Sequence, residues 1–374
     1  MSPDYLQKIM ELRHCLHHHP ELSGRESETI RTLEDFLRRN TGFEVEEREG
    51  WFYAVRQGKP GADAIGFRAD LDALPIEETI PVPYASEVPG VSHKCGHDGH
   101  CAVMCGLAME LSKRDPEQTV YLIFQPAEEI GAGGKVCAEQ VRELGIREIY
   151  AFHNLGGYPE GTLIYRKGLT QPASEGLSIR FCGKPSHASA PEEGKNPAGV
   201  IAETVLFTER LLERKWAGMV LATVTGMDAG TGDFGISAGS GSLKLTLRAE
   251  LEEEMKTLER EILAFARNRA GERGIRTEVQ ISDYFPETRN RAEALEKVLR
   301  AAKRAGLPAR EMQTMWRASE DFGYYLKEVP GAMVYIGNGE NWPALHTQEY
   351  DFNDRILGKA VDLFVQIADP KEQN

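Results

Sequence analysis

The greatest density of metal-capable side chains in the sequence is HKCGHDGH, residues 93–100. Cys95 and His97 stand two apart, so in extended backbone they point to the same side. Gly96 and Gly99 permit the tight turns that let ligands converge. Thiolate and imidazole both suit divalent transition metals. The adjacent carboxylates Glu128 and Glu129 offer a division of labour: one ligates metal while the other takes a proton from water. Metal coordination lowers the pKa of water to about 7, so a modest base suffices. Spacing does not say which Glu does which job.

Position supports the same chemistry. Asp70 and Asp72 follow the strand-like run AIGFRA, Glu128 and Glu129 follow TVYLIFQ, His153 ends EIYAF, and His346 lies on the loop after MVYIG. Separate strands thus deliver acidic or metal-capable groups just beyond their C-terminal ends, where open α/β sheets bind ligands. A lone Cys-x-His in a loop is more often structural than ligating, and paired Glu are common on solvated surface. The coincidence at strand ends, together with neighbouring His93, Asp98 and His100, favours a site, with Asp98 and His100 as supporting neighbours.

Other candidates read as bland. Cys101 and Cys105 are four apart and share a helical face with Met104 and Ala108, so they read as core, where free Cys behaves as a small hydrophobe. The run His17–His19 sits in a helical stretch ending at Pro20 and reads as a polar helix end rather than a metal site. His187, in GKPSHASAP, is a lone loop histidine that by itself reads as surface.

These residues need elements to hold them. Helical spacing predicts helices over 4–18, 27–39, 101–111 and 135–144, and strands over 43–47, 64–69, 119–125 and 148–152. The alternation implies an α/β sandwich with a largely parallel sheet. The middle third reads as strand 176–182, helix 198–214, strands 219–225 and 242–250, helix 253–268 and strand 276–282. That order, βαββαβ, is ferredoxin-like and can bury its own core. After it the first domain resumes with helices over 291–305 and 319–326, a strand over 332–337 and a final helix over 353–367. The expected division is a catalytic domain, 1–172 with 286–374, interrupted by a domain at 173–285.

Composition fits an ordinary globular chain: 374 residues, 41% hydrophobic and 27% charged. The net charge of −14 argues against nucleic acid or an anionic membrane as partner, because both require basic surface. It leaves room for a small anionic substrate. No run of about 18 apolar residues exists and the N-terminus lacks a signal-peptide pattern, so a cytoplasmic protein is expected. The six cysteines then stay reduced.

Taken together the motifs resemble the aminoacylase/carboxypeptidase-type metallo-amidohydrolases. The nearest subgroup comprises hippurate hydrolases, N-acetyl-amino-acid deacetylases and indole-acetyl-amino-acid hydrolases. The resemblance runs through LHHHPELSGRE, FRADLDALPIEE, HKCGHDGHCAVM, VYLIFQPAEE, FHNLGG, GKPSHASAP, SEDFGYYLKEVPG and the late DFND. It implies a metallopeptidase-like α/β catalytic domain with an inserted ferredoxin-like lid or dimerisation domain. It implies two divalent metal ions, Mn or Zn with Co or Ni as alternatives, held by Cys95, His97, Glu129, His153 and His346. Glu128 falls at the general base, Asp72 at a carboxylate that supports the site from behind the ligands, and His187 at a lid histidine that touches the substrate and polarises the scissile carbonyl. The implied reaction is attack of a metal-bridging water on the amide of an N-acyl amino acid. A homodimer is compatible with an exposed edge of the inserted domain.

Three segments depart from the family pattern. Pro191 is followed by Glu192 where a His is usual. Gly235–Ala238 replaces an Asn-Val-Ile-Pro segment whose Asn helps hold substrate. The loop NWPALHTQEYDF lacks the usual Asn-Pro after His346. All lie toward the substrate, so hydrolysis is expected to persist with altered substrate choice. Arg248 fits a substrate carboxylate or a solvated strand face equally. A dipeptidase or carboxypeptidase on the same scaffold, or a non-catalytic ligand-binding relative, remain as rival expectations.

Overall fold

The computed structural model describes residues 1–369. The chain divides into two compact units. The larger holds Met1–Thr170, Thr288–Trp316 and residues 320–369; the smaller holds Gln171–Glu287 with Arg317–Ser319.

The larger unit is built on an eight-stranded sheet in the order Glu44–Arg48, Trp51–Arg56, Thr119–Gln125, Ala64–Asp70, Ile146–Gly156, Gly331–Gly339, Leu163–Tyr165 and Ala309–Glu311. The four strands from Thr119–Gln125 to Gly331–Gly339 are mutually parallel. Both neighbours of this central set pair with it antiparallel, so the sheet is mixed rather than largely parallel. Every residue of Ala64–Asp70 is buried, as expected of a parallel strand covered on both faces. Trp51–Arg56 was not anticipated from the sequence. It forms a hairpin with Glu44–Arg48 through the two-residue turn Glu49-Gly50, and its apolar run WFYAVR lacks the alternation that marks a half-exposed strand.

Helices cover both faces. Pro3–His18, Ser27–Asn40, His97–Leu111, Ala292–Arg304 and Leu357–Ala368 share one core with the sheet. Gly133–Val141 and Gly323–Glu328 pack on the other face, around Ile123, Ile149, Phe322 and Met333. His97–Leu111 is buried almost throughout, which its near-continuous apolar composition requires. Cys101 and Cys105 belong to that core, as their spacing implied.

The helix also begins earlier than expected, at His97 rather than 101, so the extended backbone assumed for Cys95 and His97 does not exist. Gly96 is left-handed (φ +96°) and turns the chain directly into the helix. A Cβ there would sit 2.5 Å from Asn154 Oδ1, so the position excludes side chains on two grounds. Gly99 makes no turn; it is helical, and a Cβ would fall 2.3 Å from the Phe352 ring.

The smaller unit has the βαββαβ order read from the sequence: Ala173–Cys182, Ala198–Leu212, Val220–Ala229, Ser240–Ala249, Glu252–Glu272, Arg276–Phe285. Its strands pair antiparallel in the order second, third, first, fourth, the ferredoxin-like arrangement. Leu177, Ile179 and Phe181 alternate inward, as do Leu243, Leu245 and Leu247. With Val200, Leu258 and Ile262 from the helices they form a core separate from those of the larger unit. Among the described residues no helix is long and apolar enough to cross a membrane.

Candidate metal centre

The C-terminal ends of the parallel strands bring the metal-capable groups together. After Thr119–Gln125 the chain turns at Ala127, whose φ is +52°. Such a conformation is rare outside glycine and costs of order 1–3 kcal/mol unless its surroundings hold it. Here Glu26 holds it, accepting the Ala127 N–H at 2.8 Å. The turn presents Glu128 and Glu129 in succession. His346 is also left-handed, φ +63°, and its N–H donates to the Lys94 carbonyl at 2.8 Å, beside Cys95. His153 does not end its strand; the strand continues to Gly156, and His153 projects from within it.

Two donor groups share Cys95. Cys95, His97 and His153 offer ligand atoms within 4.8 Å of one another, and so do Cys95, Glu129 and His346. Cys95 Sγ lies 3.3 Å from His153 Nε2 and 3.4 Å from His346 Nε2. Glu129 Oε1 stands 3.5 Å from His346 Nε2 and 3.7 Å from His97 Nε2. Glu128 closes a further group with His97 and Glu129. His187 lies in the smaller unit, exposed, with its Nδ1 2.7 Å from Ser189 Oγ.

The imidazoles are oriented from behind. His97 Nδ1 faces the Asp72 carbonyl at 2.9 Å and the Asp72 carboxylate at 3.3 Å. His153 Nδ1 faces the Asn154 carbonyl at 2.7 Å. In each ring Nδ1 is engaged by a backbone carbonyl, which leaves Nε2 directed into the site. Asp72 does more: its two oxygens accept the N–H groups of Glu128 and Glu129, at 3.1 and 3.0 Å, and it takes the Ser23 hydroxyl at 2.6 Å.

This donor set fits divalent metal. His97 Nε2 and Glu129 Oε1 are buried without a hydrogen-bond partner, which is costly unless something else meets them. Thiolate, imidazole and carboxylate in one cluster is a transition-metal combination.

Local charge is tightly arranged. Burial opposes ionisation of His97, yet Asp70, Asp72 and Glu129 push it up to about 10. Burial and then His100 push His153 well below the usual imidazole range. The Cys95 thiol is pushed well up by burial and the Glu129 and Glu128 carboxylates. Burial, then Glu320, Glu129 and Asp321, drive the Glu128 carboxyl well up. A cation among these groups reverses the penalty on thiolate and carboxylates.

A second tier of residues includes His100, expected as a supporting neighbour, and Asn154, Arg68, Glu320 and Asp321, which had no role assigned from sequence. His100 bridges Asp70 Oδ1 at 2.5 Å and Asn154 Oδ1 at 2.7 Å, and Asn154 donates to the Cys95 carbonyl at 3.2 Å. Arg68 joins Asp70, Glu320 and Asp321 at 2.8, 3.0 and 2.6 Å. Asp98, expected from the sequence to be a supporting neighbour, accepts from Arg13 and His17. His17 is therefore not a solvated helix end but fully buried. The signal available was membership in the quoted motifs, since LHHHPELSGRE, FRAD and SEDF contain His17, Arg68, Glu320 and Asp321.

Residues 66–369 match the model of peptidase family M20/M25/M40. The chain belongs to this family. It is 29% identical to the N-acetylcysteine deacetylase of Bacillus subtilis, over 96% of each chain. It is 32% identical to thermostable carboxypeptidase 2 of Saccharolobus solfataricus, over 88% of this chain and 85% of that one. Among solved structures it is similar to a dinuclear metal-binding peptidase of the M20 family from Bacillus subtilis, at a TM-score of 0.83 and 27% identity, covering 98% of each. The M20 chain is thus a metal-dependent hydrolase acting on amide bonds, and a non-catalytic binding role is set aside.

Proposed function

We propose that this M20 hydrolase cleaves the amide bond of N-acyl amino acids, with Cys95, His97, Glu129, His153 and His346 holding two divalent metal ions and Glu128 as general base. The observation that carries the reading is the pair of donor groups sharing Cys95, with Glu128 beside them and fixed by the same Asp72 carboxylate that fixes Glu129. Zn or Mn suits the donors, and Co or Ni can replace them. When bound, the ions supply Lewis acidity toward the carbonyl and acidify water.

The chain's own residues supply the rest. Asp72 fixes the turn by accepting the N–H groups of both Glu128 and Glu129. Glu129 Oε1 stands between His97 and His346, which suits a ligand. Glu128, whose buried carboxyl holds a proton readily, accepts one from water at a carboxylate oxygen. It then returns that proton to the departing amine nitrogen. The role of polarising the substrate carbonyl is assigned to His187 on the family resemblance.

In the smaller unit, Arg248 donates to the Arg317 carbonyl at 2.9 Å and to Ser319 Oγ at 2.8 Å. No carboxylate pairs with it among the described residues. That supports a substrate carboxylate as its partner over a solvated strand face. The outer strand Val220–Ala229 leaves a backbone edge open and exposes Leu221, Val224 and Met227, which supports a homodimer; light scattering reads this directly.

The test is a metal-loaded screen of acetyl-, benzoyl- and indole-acetyl-amino acids beside dipeptides. Turnover of the N-acyl compounds is expected. Preference for dipeptides would favour the second reading, a carboxypeptidase or dipeptidase, which the carboxypeptidase relative supports. Glu128→Gln should lower kcat by about 10²–10⁴-fold with metal content near wild type. Loss of metal from this variant, but not from Glu129→Gln, would reverse the two roles.

A further inference from the structure

Helix Pro3–His18 ends beside residues 74–94, a segment with no helix or strand that leads into Cys95. Three side chains meet at this junction, and none of them takes part in the centre described above. His18, His19 and Glu87 offer ligand atoms within 4.8 Å of one another.

Their hydrogen bonding is unusual for a plain surface cluster. His18 Nδ1 lies 2.7 Å from the Ala85 carbonyl oxygen. A carbonyl only accepts, so Nδ1 is the donor in that bond and Nε2 is the ring nitrogen left over. Nε2 faces Glu87 Oε1 at 3.0 Å. Two acceptors at that separation repel unless a proton or a cation lies between them. The His19 ring packs edge-on against His18, with centroids 4.8 Å apart, and brings another nitrogen donor to the same place.

The frame is held by backbone. Glu87 N–H donates to the His18 carbonyl at 2.9 Å, and Ser86 N–H to Glu78 at 2.7 Å. His19 caps the helix through bonds to the Cys15 and Leu16 carbonyls, at the end where the helix dipole favours a cation. An imidazole anchored through one nitrogen to a carbonyl, with the other nitrogen directed at a further ligand group, is the usual arrangement of a metal-ligating histidine.

We propose that His18, His19 and Glu87 form a further divalent-metal site, separate from the Cys95 cluster, taking an ion of the zinc, nickel or cobalt class. Two imidazoles and one carboxylate suit these ions and not calcium or magnesium, which require mostly oxygen. Tetrahedral bonds of about 2.0–2.2 Å place donors roughly 3.4 Å apart. Side chains that remain 32% exposed for His18 and 64% for Glu87 adjust to that spacing by small rotations, and water completes the shell. The bound ion pins the helix end to the segment that carries Cys95.

The experiment is equilibrium dialysis of the tag-free full chain against zinc, followed by elemental analysis. Wild type is compared with the double variant His19→Ala/Glu87→Gln. We expect wild type to hold one equivalent more zinc per chain than the double variant, with equal hydrolytic activity. Zinc should also raise the melting temperature of wild type more than that of the variant. Equal zinc uptake by the two proteins overturns the proposal and leaves a proton as the only bridge between His18 and Glu87. The comparison is a difference at surface side chains, so it is independent of what the Cys95 cluster binds. Matching melting temperatures in chelator show that the variant is folded.

Discussion

Asp72 holds two loops at once. One carboxylate receives the N–H groups of Glu128 and Glu129 and stands 3.3 Å from His97 Nδ1. Burial opposes its charge, but His97, Ser23 and the Glu129 N–H hold its carboxyl below the usual range, so it stays ionised. Removing it frees the proposed base, Glu128, and two proposed ligands, His97 and Glu129, together. Asp72→Ala should weaken metal binding about 10–100-fold, as read by competition with a chromogenic chelator. It should also lower kcat beyond what metal loss explains, measured at saturating metal. Unchanged affinity and rate would mean that the turn at Ala127 is held by Glu26 alone.

At the scale of elements, the helix Pro3–His18 is tied to the start of His97–Leu111 by buried charge. Arg13 Nη1 and His17 Nδ1 both meet Asp98 Oδ2, at 3.1 and 2.8 Å, and His17 Nε2 meets Glu78 at 2.8 Å. Burial lowers the basicity of His17, but the bonds to Asp98 and Glu78 push its pKa up to about 9 from 6.5. A raised folded-state pKa stabilises fully below the unfolded value and ceases to do so as pH rises through the folded one. Glu78 works in the opposite direction. Burial opposes it, yet His17 and Lys94 hold it down to about 2 from 4.5, so its share is present above 4.5 and lost toward 2. Both contributions are therefore full between 4.5 and 6.5. The urea midpoint of wild type should exceed that of His17→Gln by most in that window, and the gap should shrink as pH rises past 9. A gap independent of pH would show that His17 acts by packing alone. Helix placement gives a second prediction. Gly99→Ala puts a methyl 2.3 Å from the Phe352 ring, and should destabilise by about 1–3 kcal/mol, seen as a lower denaturation midpoint at unchanged slope.

For the whole molecule, the smaller unit has its own core, made of Leu177, Phe181, Leu245, Leu258 and Ile262 among others. Its strands pair only with one another in the four-stranded sheet. A fragment spanning Gln171–Glu287 should accordingly fold alone, with a cooperative thermal transition and mixed α/β circular dichroism. A broad, non-cooperative transition would show that this core depends on the remainder of the chain. The net charge of −14 is carried by the whole surface, while the candidate centre concentrates carboxylates around metal-capable groups. Metal removal should therefore cost stability through repulsion among Asp70, Glu128 and Glu129, read as a lower melting temperature in chelator.

Much of this protein's fold is legible in its sequence. Periodicity marked the long helices, and inward alternation at Leu177, Ile179 and Phe181 marked the inserted βαββαβ unit, because burial of one face imposes a period on sequence. The acidic and metal-capable residues were visible as a set, since strand ends in an α/β sheet converge. Trp51–Arg56 was missed because a strand buried on both faces loses its alternation, and the helix start at His97 because Gly96 looks like any loop glycine. Residue order alone sets which side chains are available and near which strand ends. It took the folded chain to put Cys95 in two donor groups, Glu129 rather than Glu128 between His97 and His346, and His17 in the interior as a buried charge where a polar helix end was expected. Those facts depend on left-handed turns at Gly96, Ala127 and His346 and on contacts between residues far apart in the chain, which no local pattern records.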